Sequence, residues 1–437
     1  MQMQKPLLAV LVSSALFSLN AHAADLVQVY KQALSNDATY ASARAALSAG
    51  QERTTQGRAL LLPTVGLSGT NMKNDGDATD RIKNLSGDTE NYSSTMQLQL
   101  TQPLFRWANW ESYQQSKLST AAAEAVFAQA QQDVILRVSQ AYFDVLTAQD
   151  NLTATQAQKA ATTEQLASAK RNFEVGTQTI TDTHEAQAAY DLVVAQEFAA
   201  QNDLEVKRTA LQQIIGQAPG VLAPLRTGVT ITSPQPATLE PWVSAAEEQN
   251  YGVTGAKLNV EIAKREISKQ RAGHMPTVDL VAQKSRNSVT GVSLNNNNAI
   301  GVTWNVPIFS GFAVTSKVRE SIALEDKARN DLEASRRQAA QTARQAFLGV
   351  NSGLAQVKAL EAAEVSSKSA LESNKLGYQV GVRINIDVLN AQRQLYTTQK
   401  DLSKARYDTI MNGLRLKSAA GSLKEEDLEP INALLQH

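Results

Sequence analysis

Two stretches of this chain repeat one another in a fixed register, and that repeat limits the possible folds more than any single motif. Gln140-Ala141-Tyr142 recurs as Gln345-Ala346-Phe347, Phe173-Glu174-Val175-Gly176 as Tyr378-Gln379-Val380-Gly381, Ala186-Gln187 as Ala391-Gln392, and Gly216 as Gly421. Each pair is 205 positions apart (345 less 140, 421 less 216). Upstream, Leu62-Pro63-Thr64-Val65 is answered by Met275-Pro276-Thr277-Val278, and Gln102-Pro103-Leu104-Phe105 by Val306-Pro307-Ile308-Phe309. A register held over so many residues means one supersecondary plan used twice, which leads to pseudo-symmetric assembly.

Each copy has the same anatomy. A helical lead-in, about 26–60 and about 242–271, ends near Pro63 or Pro276. Alternating segments follow: Val65-x-Leu67 and Met96-x-Leu98-x-Leu100 in the first copy, Val278-x-Leu280-x-Ala282 and Ile300-x-Val302-x-Trp304 in the second. Period-2 alternation bounded by Pro, Gly and Asn predicts strands. Asn74-Asp75-Gly76-Asp77 and Asn295 to Asn298 are too polar to bury and are expected to form solvent-facing loops between them.

Long helices come next. Stretches 107–172 and 312–375 contain no proline and carry apolar residues at heptad-like spacing. Val134, Val138, Ala141, Tyr142 and Val145 mark it in the first copy, and Ala339, Ala343, Ala346, Phe347 and Val350 in the second. About 65 residues at a rise of 1.5 Å give a rod of roughly 100 Å. Gly176 and Gly381 stand where each rod should stop, as left-handed helix ends. Thr179-x-x-Asp182 reads as a capping pair that restarts a helix. Each copy therefore closes with a helical hairpin, and its return limb runs to about Gly216 or Gly421.

The N-terminus supplies the compartment. Lys5 precedes an apolar run from Pro6 to Val12 that continues to Leu16-Phe17, and Ala21-His22-Ala23 gives a small-x-small cleavage pattern. Residues 1–23 are thus expected to be a signal peptide, with the mature chain starting at Ala24. There is no cysteine, so disulfides and thiolate metal sites are excluded. The 42 basic residues balance 42 acidic ones, which gives no support for nucleic-acid binding. No later stretch approaches the roughly 20 apolar residues of a spanning helix. An exported chain of this kind is either soluble or a β-barrel, whose strands leave only a weak hydropathy signal.

Four strands cannot close a barrel, and an open sheet edge in lipid leaves backbone groups unsatisfied. Membrane strands would therefore have to be pooled from several chains. Phe105, Trp107, Trp110, Trp304, Phe309 and Phe312 lie at or near strand–helix junctions, where an interfacial aromatic girdle belongs.

The repeat, the Pro-Leu-Phe and Pro-Ile-Phe strand ends, the Tyr-x-x-Gly-x-Arg turn (Tyr378 to Arg383) and the closing Leu416 to Gly421 together resemble the TolC family of outer-membrane efflux proteins. The resemblance spans nearly the whole mature chain. It implies a mainly α fold with a small β-barrel part: a homotrimer whose twelve-stranded transmembrane barrel continues as a long periplasmic α-helical barrel. Residues 24–216 form the first repeat, with barrel strands about 62–106 and a hairpin about 107–216. Residues 242–421 form the second, with strands about 275–309 and a hairpin about 310–421. Segment 217–241 and the tail 422–437 would make an equatorial belt. The family serves as the exit duct of tripartite efflux or type I secretion systems, passing small molecules or proteins. Its partners are a periplasmic membrane-fusion adaptor and an inner-membrane transporter, with outer-membrane lipid around the barrel.

The resemblance also assigns sites. Tyr378 and Arg383 match residues that link neighbouring hairpins and hold the tunnel shut, with Thr181 and Asp182 at the partner positions. Asp387 would line the mouth as a ring of three carboxylates that attracts cations. A second acid often stands one turn on in the family, but here that position is Asn390. The hairpin tips, Val175-Gly176-Thr177 and Val380-Gly381-Val382, would meet the adaptor. Read without the family, Arg383 and Asp387 form an ordinary i,i+4 surface pair, and the tip glycines are needed for capping alone.

Enzyme readings find no support. His22, His184, His274 and His437 fit no ligand spacing, and neither a P-loop nor a G-x-S-x-G elbow is present. No catalytic residue, cofactor or metal is expected. The competing class is an exported soluble coiled-coil interaction protein, which explains the helices but not the duplicated Pro-bounded strand pairs.

Overall fold

In a computed structural model the described residues are 23–80, 85–226, 228–289 and 293–436, with side chains described outside 74–80, 85–91 and 293. The expected signal peptide, apart from Ala23, lies outside them, as do His22 and His437. The first repeat comprises α1 (Leu26–Asn36), α2 (Ala38–Ala59), β1 (Thr64–Asp80), β2 (Leu85–Phe105), α3 (Trp107–Glu174) and α4 (Ile180–Ile215). The second comprises α5 (Glu240–Gln249), α6 (Tyr251–Arg271), β3 (Thr277–Val289), β4 (Ser293–Asn305), α7 (Ala313–Gln379) and α8 (Asn385–Ala419), followed by the short α9 (Leu428–Asn432).

Each expected lead-in helix is in fact two. Asp37 closes α1 through its own N–H to the Ala33 carbonyl, and its Oδ1 accepts from the amides of Thr39 (2.7 Å) and Tyr40 (3.0 Å) at the start of α2. Between α5 and α6, Asn250 makes the corresponding N-cap, its Oδ1 accepting from the Gly252 amide at 2.9 Å. An Asx side chain competes with the helix backbone for these N–H groups, which stops one helix and caps the next. Asp37 and Asn250 are 213 positions apart, the same offset as Pro63 and Pro276 (250 less 37, 276 less 63), so the break is itself part of the repeat.

The four strands form one sheet in the order β1-β2-β3-β4, antiparallel throughout. The two polar segments expected to be loops belong to strands instead. Asn74 to Asp77 lie in β1 and Asn295 to Asn298 in β4, where they pair with Asn287 to Lys284 of β3. Ladder bonding satisfies the backbone whatever the side chain, so polarity marks a strand end outside the apolar zone rather than the end of the strand. β1 and β4 are the sheet's free edges within one chain.

α3 and α7 are rods of 68 and 67 residues, each turning back at a left-handed glycine: Gly176 at φ 76° and Gly381 at φ 78°. At both ends the glycine N–H returns to a carbonyl three residues back and the following N–H to one five residues back (Thr177 to Asn172, Val382 to Gly377, 2.8 Å each). That closes the last turn in the same way in both repeats. Thr179 and Asp182 then form a reciprocal capping box that starts α4.

The main core lies at mid-height of the rods. Leu26, Val29 and Ala33 of α1 pack on Val138, Tyr142 and Phe143 of α3, Leu211 and Ile215 of α4, Met411 and Leu414 of α8, and Leu428 and Leu435 of the tail. The buried Tyr142 hydroxyl donates to the Ala223 carbonyl at 2.8 Å, and single bridges join Ala24 to Leu222 and Leu225 to Leu435. The segment after α4 is thereby strapped to both chain ends around the hairpins' waist.

Candidate functional site

Register sorts the sheet into two unlike faces, because directly paired residues share a face. Val65, Leu100, Ala282 and Ile300 form one row across all four strands. Leu280 with Val302, then Val278 with Phe105 and Trp304, form rows of the same face nearer the helices, and Leu67 with Leu98 forms the next row away from them. Among the described residues nothing covers this apolar face: Ile300 is 77% exposed, Leu67 68% and Trp304 73%. Among the described residues no helix is long and apolar enough to cross a membrane; an exposed apolar sheet face opposite a polar one is the pattern of a barrel wall.

The opposite face is polar and internally bonded. Gln97 Nε2 donates to Gln99 Oε1 (3.1 Å) and to Gln283 Oε1 (3.2 Å), and Gln99 Nε2 donates to Thr101 Oγ1 (3.2 Å). At its base, Arg106 grips Asp279 with two parallel bonds, Nε to Oδ1 at 2.8 Å and Nη2 to Oδ2 at 2.5 Å. The pair ties the exit of β2 to the entry of β3, where sheet passes into helices.

The six aromatic residues read from the sequence gather at that junction, and all are exposed in the single chain. Trp107 and Trp110 occupy the first turn of α3. Phe309 and Phe312 meet edge to face with ring centres 5.5 Å apart, just before α7.

At the hairpin tips the contacts differ from those expected. Tyr378 is reached by Gln178, whose Nε2 donates to the phenol oxygen at 2.5 Å; among the described residues neither Thr181 nor Asp182 bonds to it. Asp182 is engaged by the α4 cap, its carboxylate accepting from the Thr179 amide (3.1 Å) and hydroxyl (2.8 Å). Arg383 lies 3.7 Å from Asp387, an i,i+4 pair at the start of α8. Arg383, Asp387 and Asn390 line one open groove of about 590 Å³ between α7 and α8. Val175, Val380 and Val382 are exposed at the tips, and a Cβ built on Gly176 or Gly381 would meet open space.

Sequence reasoning missed a fully buried contact between the hairpins. Asn385 is fully buried; its Oδ1 accepts from Gln165 Nε2 of α3 at 2.6 Å, and its Nδ2 donates to the Asp182 carbonyl of α4 at 3.0 Å. A signal was available, since the counterpart of Asn385 one repeat earlier is Ile180 (385 less 205), which is half exposed. A polar residue set between Ile384 and Ile386, where the other copy has isoleucine, marks a site that broke the repeat.

Comparison with known proteins follows the same division. A family model described as outer membrane efflux protein matches residues 29–217 and 242–422. Outer membrane protein TolC of Vibrio cholerae is 36% identical over 99% of both chains. Proteases secretion protein PrtF of Dickeya chrysanthemi is 31% identical over 95% of this chain and 92% of its own. Among solved structures, the Vibrio cholerae outer membrane protein VceC superposes with a TM-score of 0.77 at 20% identity, covering 91% of this chain and 96% of that one.

Proposed function

This chain belongs to the outer membrane efflux protein family, and on that premise we propose how its residues line, anchor and close a duct. The protein is an outer-membrane exit duct of the kind used in efflux and type I secretion, with its helices in the periplasm. Such ducts are trimeric. Three chains would pair each β4 edge with the next chain's β1, leaving no open edge.

The observation that carries the reading is the unlike chemistry of the sheet's two faces. In a closed barrel the Val65–Ile300 face meets lipid and the Gln97–Gln283 face lines the water-filled lumen. Phe105, Trp107, Trp110, Trp304, Phe309 and Phe312 form the girdle at the periplasmic interface. A soluble coiled coil has no use for an exposed apolar sheet face of this size.

Below the membrane the hairpin tips form the entrance. Tyr378 and Arg383 act as its links, with Gln178 standing in for Thr181 and Asp182 as the partner of Tyr378 inside one chain. Asp387 supplies the carboxylate ring. Val175, Gly176, Thr177, Val380, Gly381 and Val382 present the surface for a periplasmic adaptor, through which an inner-membrane transporter delivers cargo.

The natural chain has no cysteine, so single cysteines report cleanly. In membranes, Gln99→Cys should react with a water-soluble, membrane-impermeant thiol reagent while Leu98→Cys stays protected. Equal labelling, or a water-soluble monomer after detergent-free lysis, would overturn the barrel. For the adaptor surface, Thr177→Arg and Val382→Glu should abolish cross-linking to the adaptor at normal trimer yield; retained cross-linking would remove the tips from that role.

A further inference from the structure

The apolar face of the sheet carries two cations. Lys284 and Arg286 are alternate residues of β3 and therefore point to the same side. Their neighbours fix which side: Lys284 pairs with Leu98 of β2 and Asn298 of β4, and Arg286 with Met96 and Asn296. They lie on the lipid-facing surface, directly beyond the row of Ala282 and Ile300. All four polar side chains are exposed, and neither cation has an ion pair or side-chain hydrogen bond among the described residues.

Their level in the membrane follows from topology. All four strands meet helices at one end, so Lys284 and Arg286, in the half of β3 away from α6, lie towards the opposite, outer leaflet. On β1 and β2 the apolar surface at this level is still Leu67, Leu98 and Met96. The cations therefore sit beside hydrocarbon, where a Lys or Arg is costly at mid-membrane and nearly free at the headgroup boundary. A fork of guanidinium donors and an ammonium, about 7 Å apart along the strand, suits the oxygens of a phosphate, and the cross-strand Asn amides add donors.

We propose that Lys284 and Arg286, assisted by Asn296 and Asn298, form a site on each protomer for the phosphorylated headgroup of an outer-leaflet glycolipid. The site rests on the barrel reading above, and its test separates the two. Full-length trimers, wild type and Lys284→Gln/Arg286→Gln, are purified in mild detergent and titrated with phosphatidylcholine vesicles containing either diphosphorylated lipid A or its dephosphorylated form. Wild type should prefer the phosphorylated vesicles by about tenfold or more, as expected for lost charge-assisted bonds, and the double variant should lose the preference. Single-channel conductance of the variant should not change, since neither residue faces the lumen. Inorganic phosphate at matched concentration should not compete; full competition would mean a free-anion site and overturn the lipid assignment. An undiminished preference in the variant would also overturn it. A drop in trimer yield without any change in lipid preference would place the cations in a protein contact instead. If wild-type trimers bind neither vesicle, the barrel reading itself fails.

Discussion

Gln165 on α3 and Asn385 on α8 share a 2.6 Å hydrogen bond in a site closed to solvent, joining the two hairpins of one chain close to their tips. Asn385 also holds the Asp182 carbonyl on α4, so one side chain fastens three helices. An unpartnered buried amide costs about 1–3 kcal/mol. Asn385→Val should therefore loosen the second hairpin and raise conductance in planar bilayers. Gln165→Leu should do so to a smaller extent, and the double variant should add little beyond Asn385→Val, which already removes the shared bond together with the one to Asp182. Additive increases would show that the two residues act separately.

The Tyr378 and Arg383 contacts make a second, more exposed set. Tyr378→Phe removes the acceptor for Gln178, and Arg383→Ser removes the pair with Asp387. We expect the combined variant to open the entrance; intact trimers with unaltered conductance would exclude these residues from the gate. Asp387→Ala should weaken block by divalent cations. Asn390→Asp, one turn along the same groove, should strengthen it by adding a second carboxylate to each chain.

The sheet faces make opposite predictions for the same substitution. Lys in place of Leu100 or Val302, on the apolar rows nearer the helices than Lys284, should cost about 2–4 kcal/mol near the bilayer midplane, seen as loss of heat-resistant trimer. Lys at Gln99 or Thr303, on the polar face, should leave trimer yield near wild type. Reversed tolerance would turn the barrel inside out.

Asp37 and Asp150 should shape pH dependence with opposite signs. Burial works to raise the Asp37 carboxyl, but Arg137 and the Tyr40 and Thr39 amides outweigh it and leave it below the ordinary range. Its contribution is present above the unfolded value, about 3.9, and is lost as pH falls through the lower folded value. Asp37→Asn should flatten the acid limb of thermal stability, and Asp37→Ala should cost about 1–2 kcal/mol through the lost α2 cap. Burial raises Asp150, against the pull of its bonds with Tyr407 and Ser403 and of nearby Arg406. Ionised Asp150 is therefore a burden that grows as pH rises through its raised value, and Asp150→Asn should remove that loss. Melting curves of both variants between acid and neutral pH check the two signs.

Two left-handed glycines should respond unequally to alanine. Gly381 at φ 78° has open space around it, so Gly381→Ala pays only the backbone strain of about 1–2 kcal/mol. Gly421 at φ 73° would place its new Cβ 2.4 Å from the Gln249 carbonyl oxygen. Backbone cannot yield as a side chain tip can, so Gly421→Ala should abolish trimers where Gly381→Ala lowers their melting temperature. Equal effects would mean that the α5–α6 corner moves freely.

What the sequence determined by itself was everything governed by neighbours within a few residues. Helix period, absence of proline, the αL glycines 176 and 381 and the Thr179–Asp182 box act inside one or two turns, so rods, turns and restarts could be read directly. The repeat added pseudo-symmetry, and the helix breaks at Asp37 and Asn250 keep the offset of Pro63 and Pro276. Tertiary structure alone decided relations between distant segments. Alternation shows that a strand has two faces, but only pairing of Leu98 with Lys284 and Gln97 with Ser285 across the sheet says which residues stand together on each. Polarity suggested that Asn295 to Asn298 leave the sheet, whereas ladder bonds to β3 keep them in it. Tyr378 finds Gln178 across 200 residues and Asn385 finds Gln165 across 220. Those bonds depend on how far each rod has rotated about its axis by the time it reaches the tip, and no local preference sets that angle; packing of the hairpins does.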